Sequence, residues 1–181
     1  MEVQELISEK RILYLSRKDL IAAGLLDYAA IVEDVRQGLC LHAQGKTTNE
    51  KLAIDLDVER DWKISALVGI MGRYAGVKWL GANTDNLAQG LPRSNSIVSL
   101  NERLTGRVLC VMDGAMISAL RTGAYAALAT EALAHQEPVV VGLFGAGVIS
   151  RSVLLCMAVA ARKQIERVLV HDILRQAQEG F

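Results

Sequence analysis

The chain has 181 residues, 51% of them apolar and 22% charged, with 20 basic side chains balanced by 20 acidic ones. Neutral charge, and the lack of a basic run interleaved with aromatics, argue against a nucleic-acid partner or an anionic membrane surface. Cys40, Cys110 and Cys156 stand isolated, without a C-x-x-C or Cys/His cluster, so no metal site is expected and reduced thiols fit a cytoplasmic protein. The opening "MEVQELISEKR" lacks the apolar core of a signal peptide, and every apolar stretch is broken well short of a membrane span.

In chain order, Ile12 to Leu15 reads as a short strand. Ser16 then caps a helix, with Asp19 three residues on completing a capping box. Asp27 caps a second helix, in which Ile31, Val35 and Leu39 recur at helical spacing, and which ends near Gly45. "QGKTTNE" reads as a loop. From Lys51 the period changes to two: "KLAIDLDV", "WKISALVGIMG", "AGVKWLGA", "NSIVSLN" and "RVLCVMD" are strand-like runs. "NERLTG" is a hairpin connection with Gly106 in the turn, and the whole reads as an antiparallel or mixed sheet. Asp113 then starts an alanine-rich helix over residues 115–135.

The last part is organised differently. An apolar strand, Val139 to Phe144, leads through a glycine turn into a helix and then a second buried strand, Arg167 to His171. That is a βαβ unit of the parallel, doubly wound class. The turn, "GLFGAGVISRS", carries Gly145 for the tight bend and Gly147 for close approach of a diphosphate, with Ser150 at the third small position. The motif follows a strand and opens a helix, the context it requires, with free N–H groups for phosphate at the helix start. Asp172 closes the second strand: either it is a turn residue of a nucleotide-free α/β layer, or it accepts from an adenosine ribose hydroxyl and repels a 2′-phosphate, favouring NAD over NADP.

Three other features are ambiguous on spacing alone. Lys78 lies between Val77 and Trp79 in a strand, facing either solvent or a cleft. Arg121 sits in "ALRTGAYAALA" with Ile117, Ser118, Ala124 and Tyr125 one turn away, so no local acid pairs with it. Either its stem lies along the helix surface or its guanidinium binds an anionic ligand. Arg93, Asn83, Asp85 and Asn86 are loop polar groups compatible with turn chemistry, and His42, His135 and His171 are dispersed.

In order, "GVKWLGANTDN", "GLPRSNSIVSLNERLTG", "ALRTGAYAALATEALA" and "GLFGAGVISRS" resemble the ornithine cyclodeaminase/mu-crystallin family. The resemblance implies a mixed-sheet substrate-binding and dimerisation domain over residues 1–135, then an incomplete Rossmann-type NAD-binding domain over 136–181. It implies a homodimeric, NAD-dependent oxidoreductase that takes the α-carbon–nitrogen bond of an amino acid, or an N-substituted one, to an imine, with deamination or cyclisation. Lys78 and Arg121 are the substrate-carboxylate positions. Arg93, Arg121, Thr122, Gly145, Gly147, Val148, Ile149 and Asp172 are the cofactor positions, Arg93 standing where many members have threonine. Gly123 and Ala124 are expected to leave room for cofactor and substrate beside the helix.

Two departures bear on this. The family's upstream arginine and "M-P-A" stretch are missing, and Lys51, Arg60 or Lys63 are the candidate replacements. The chain also stops soon after the second strand, so the family's catalytic aspartate is expected beyond Phe181. The alternatives are therefore a truncated, inactive member, or a mu-crystallin-like protein that binds NAD(P)H and a ligand without turnover.

Overall fold

A computed structural model describes residues 11–134, 139–160 and 165–181. Its elements run β1 (Leu13–Leu15), α1 (Arg17–Ala22), α2 (Tyr28–Ala43), β2 (Thr47–Asp57), β3 (Trp62–Met71), β4 (Tyr74–Ala82) and a 3-10 turn (Thr84–Gln89). They continue with β5 (Ser94–Glu102), β6 (Val108–Asp113), α3 (Ala115–Leu133), β7 (Val139–Phe144), α4 (Val148–Ala160), β8 (Ile165–His171) and α5 (Arg175–Glu179). The architecture is mixed α/β, and it falls into two compact units.

The first unit comprises the residues up to Gly24 and Cys40–Met116. It holds a six-stranded sheet in the order β1-β6-β5-β4-β3-β2, antiparallel throughout except for β1, which runs parallel to β6. The expected capping box is present: the Asp19 amide donates to Ser16 Oγ, and the Ser16 amide to the Asp19 carboxylate at 2.8 Å. Gly72 (φ +58°) and Gly106 (φ +71°) make the β3–β4 and β5–β6 hairpin turns in the left-handed conformation that side chains disfavour. Between them lies Glu102, only 7% exposed, whose carboxylate accepts from the Thr105 amide (2.7 Å) and hydroxyl (2.8 Å).

One expectation is overturned here. Thr47 to Glu50 form strand rather than loop, because Thr47 pairs with Met71 and Glu50 with Val68 along the edge of the sheet. Gly45 (φ +68°) ends α2 and leaves the two threonines free to enter a ladder that suits β-branched residues.

The second unit comprises Leu25–Leu39 and Ile117–Phe181. Strands β7 and β8 are parallel and joined through α4, the βαβ arrangement of Rossmann type. Its core is built from Val32 of α2, Ala124, Ala127 and Leu128 of α3, Val141 and Leu143 of β7, and Cys156 and Met157 of α4. The buried positions of α3 form a helical stripe from Ala119 to Leu128, with Arg121 and Tyr125 on the exposed side. Among the described residues, no helix is long and apolar enough to cross a membrane.

Candidate functional site

The turn between β7 and α4 is shaped by two links to the end of β8. The Gly145 amide donates to the His171 carbonyl at 2.8 Å, and Gly145 takes φ +98°. The Ala146 amide donates to one Asp172 carboxylate oxygen at 2.7 Å, while the other accepts from the Leu174 amide at 2.8 Å. These two backbone donors, the Ala146 amide first, hold the Asp172 carboxyl below the usual carboxylate range. A Cβ built on Gly147 meets open space, so the chain leaves a gap where a ligand backbone could approach. Val148 and Ile149 begin α4, and Val148 is 69% exposed. Among the described residues, the amides of Gly147 to Ser150 meet no acceptor, as expected for the first turn of a helix. Open space, free N–H groups and the positive end of α4 together suit a diphosphate.

In the first unit, strand register decides which cations share a face. Lys78 of β4 pairs with Leu67 of β3, which pairs with Lys51 of β2. Directly paired residues point the same way, so Lys51 and Lys78 lie on one face, two strands or about 10 Å apart. Trp79 points to the opposite face and is 49% exposed, whereas Lys78 is half-buried. Arg60 lies in the β2–β3 turn, paired with Asp57 at 3.7 Å and stacked 5.1 Å over the Trp62 ring. Lys63 shares the Lys78 face but is paired with Asp61. Lys51 has no ion pair among the described residues. Arg93 precedes β5 and pairs with Asp61 at 3.7 Å.

On α3, Arg121 is exposed, and its guanidinium has neither hydrogen bond nor ion pair among the described residues. The Thr122 hydroxyl donates to the Ser118 carbonyl one turn back at 2.7 Å. Gly123 and Ala124 do not open space for a ligand, contrary to expectation. Ala124 is fully buried in the core, and a Cβ on Gly123 would come within 2.9 Å of the Val153 nitrogen of α4. Their small size serves helix–helix packing.

His42 Nδ1 lies 2.9 Å from Thr47 Oγ1, His171 meets the Phe144 ring edge-on, and His135 lies outside the described residues. Three relationships escaped the sequence: the Ala146–Asp172 bond, the shared face of Lys51 and Lys78, and the buried Glu102. Only the last had a signal, an acid three residues before threonine in "NERLTG".

The chain is 28% identical over 180 residues to N-((2S)-2-amino-2-carboxyethyl)-L-glutamate dehydrogenase of Staphylococcus aureus, covering 95% of this chain and 53% of that protein. Its fold matches the Delta(1)-pyrroline-2-carboxylate reductase of Thermococcus litoralis, solved with NADH and L-proline, with a TM-score of 0.86 and 28% identity. That match covers 93% of this chain and 52% of the other. An archaeal alanine dehydrogenase dimer with bound NAD matches with a TM-score of 0.82 and 27% identity, covering 93% of this chain and 51% of that one. The chain thus spans about half the length of these relatives. Residues 18–181 match one family throughout, and the chain belongs to the ornithine cyclodeaminase/mu-crystallin family.

Proposed function

We propose that residues 1–135 form the substrate-binding domain, and 136–181 the first βαβ unit of the cofactor-binding domain, of an NAD-dependent oxidoreductase. The reaction interconverts an amine and an imine at the α-carbon of an amino acid or N-substituted amino acid. The observation that carries this reading is the β7–α4–β8 turn, where Gly147 is open, the first amides of α4 meet no acceptor among the described residues, and Asp172 follows the end of β8. Relatives solved with NADH or NAD support the same cofactor here.

Gly145, Gly147, Val148 and Ile149 would hold the diphosphate, Asp172 an adenosine ribose hydroxyl, and Arg93, Arg121 and Thr122 further parts of the cofactor. A bound nicotinamide supplies the two-electron acceptor or donor. Lys78 and Arg121 stand at the substrate-carboxylate positions that the family resemblance assigns, one a point charge and the other a planar fork. Lys51, without an ion pair among the described residues and in register with Lys78, takes the place of the family's upstream arginine; Arg60 pairs with Asp57 and Lys63 with Asp61. Fixing the carboxylate orients the α-carbon, and the rate enhancement comes from that positioning.

The apolar face opposite Lys78 supports a homodimer. Leu52 and Ile54 of β2, Val68 of β3, Trp79 of β4 and Ile97 of β5 are each about half exposed or more, and the strand register places them side by side. A monomer rarely leaves such a continuous apolar sheet face in water, and a second copy would cover it.

Titration with NADH, followed by fluorescence, tests the cofactor reading; saturable binding is expected, and its absence overturns it. A panel of amino acids with NAD, followed by NADH formation, then tests the reaction. Saturable NADH binding with no turnover of any amino acid or cyclic imine assigns this chain to binding alone.

A further inference from the structure

The carboxylate of Asp172 is engaged before any ligand arrives. One oxygen accepts from the Ala146 amide at 2.7 Å, inside the glycine turn, and the other from the Leu174 amide at 2.8 Å, just after β8. The Asp172 amide itself donates to Gln178 Oε1 of α5 at 3.1 Å. The parallel ladder of β7 and β8 ends with Phe144 opposite His171, so Gly145 and Ala146 would otherwise leave the sheet held by one backbone bond, Gly145 to His171. Ala146 is only 6% exposed, and its amide, without Asp172, would have no acceptor among the described residues. A buried amide with no acceptor is costly.

We propose that Asp172 is a positioning residue for the glycine turn, setting the turn for a diphosphate through the Ala146 amide independently of any bond to ribose. This rests on the nucleotide-binding reading above and assigns the acid a second task within it. A carboxylate has about four acceptor positions, and two are used here. The rest can take a ribose hydroxyl while the turn stays clipped. The bond also removes the Ala146 amide from the donors open to phosphate, leaving that role to Gly147 and the first residues of α4. The depressed carboxyl pKa agrees with a group that is ionised while holding two amides.

Two measurements on the chain test the proposal. Hydrogen exchange without ligand reads the clip directly. Asp172→Asn can accept from only one of the two amides, and Asp172→Ala from neither. Exchange at Ala146 should therefore quicken in the alanine variant, while amides in the middle of β7 and β8 stay protected and report an intact fold. Unchanged Ala146 exchange in the alanine variant overturns the clip.

Binding of ADP and of 2′,3′-dideoxy-ADP then separates the clip from ribose recognition. Asp172→Ala should weaken the dideoxy ligand by about tenfold, the scale of one charge-assisted hydrogen bond, and ADP by more. Weakening of ADP alone leaves only the ribose contact and overturns the positioning role. Wild-type chain that binds neither ADP nor NADH overturns the nucleotide reading itself, whatever the exchange data show for the clip.

Discussion

Gly123 of α3 and Ser152 of α4 touch backbone to backbone. A Cβ on Gly123 would sit 2.5 Å from the Ser152 carbonyl carbon, closer than any real contact. One turn away the Cys156 thiol donates to the Leu120 carbonyl at 3.8 Å, so the two helices meet along small residues. Gly123→Ala should therefore destabilise the second unit by about 1–3 kcal/mol, the usual cost of overpacking, despite alanine's better helix propensity. Urea denaturation checks it; a neutral or stabilising effect would show that the helices can part without penalty.

Much of this fold was legible because its signals are local. Ser16 with Asp19, Asp27 before α2, Gly106 in its hairpin and the Gly145 turn each act within a few residues of themselves. What escaped depends on partners distant in sequence. "RTGAYAALA" gives no sign that Gly123 meets Ser152 rather than a ligand, since both need the same missing side chain. Thr47 to Glu50 look like a loop until β3 offers them a ladder. Lys51, Arg60 and Lys63 are equal as letters, and only the structure shows that Arg60 and Lys63 pair with Asp57 and Asp61 while Lys51 has no ion pair among the described residues. Asp172 reads in sequence as an acid at a strand end, but its bond to Ala146 crosses the whole of α4 in sequence.

Trp79 lies at the middle of the exposed apolar face, opposite Ile97 of β5 and Ala66 of β3. Trp79→Arg places a charge where a second copy would have to desolvate it, while the fold of one chain loses little from an exposed position. The expected result is a dimer for the parent and a monomer for the variant, by light scattering, with unchanged far-ultraviolet circular dichroism. A monomeric parent, or a variant that remains dimeric, counts against this face as the interface.

Glu102 makes the first unit sensitive to acid. The Thr105 hydroxyl and then the Thr105 amide hold its carboxyl below the ordinary glutamate range. A depressed folded pKa contributes stability that is complete above the unfolded value and is lost as pH falls through the folded one. Glu102→Gln should melt at lower temperature than the parent at neutral pH. The gap should close progressively as the solution is acidified below the usual glutamate pKa. A gap that stays constant with pH would mean that shape, not charge, holds the hairpin.

The three cysteines should divide by access. Cys40 is exposed, whereas Cys110 and Cys156 are buried, and burial pushes both of those thiols up. Thiolate is the reactive form, so the buried pair is protected twice over. A disulfide-exchange reagent should modify Cys40 rapidly in native protein, and Cys110 and Cys156 only after denaturation. Rapid native labelling of Cys156, which is fully buried against α3, would require the second unit to open far more often than its packing implies.

Gly145 and Gly147 separate strain from space within one turn. Gly145 takes φ +98°, so Gly145→Ala is strained, at about 1–2 kcal/mol, with or without a ligand. Gly147 is not left-handed, and its Cβ would meet nothing, so Gly147→Ala should leave stability within about 0.5 kcal/mol of the parent. The same methyl group would occupy the gap at the start of α4, where in the proposed site a diphosphate comes close to amides that meet no acceptor among the described residues. NADH affinity should then fall about tenfold or more in Gly147→Ala, with the melting temperature unchanged. If NADH binds the variant as well as the parent, the cofactor does not pass over Gly147 and the open space there has another origin.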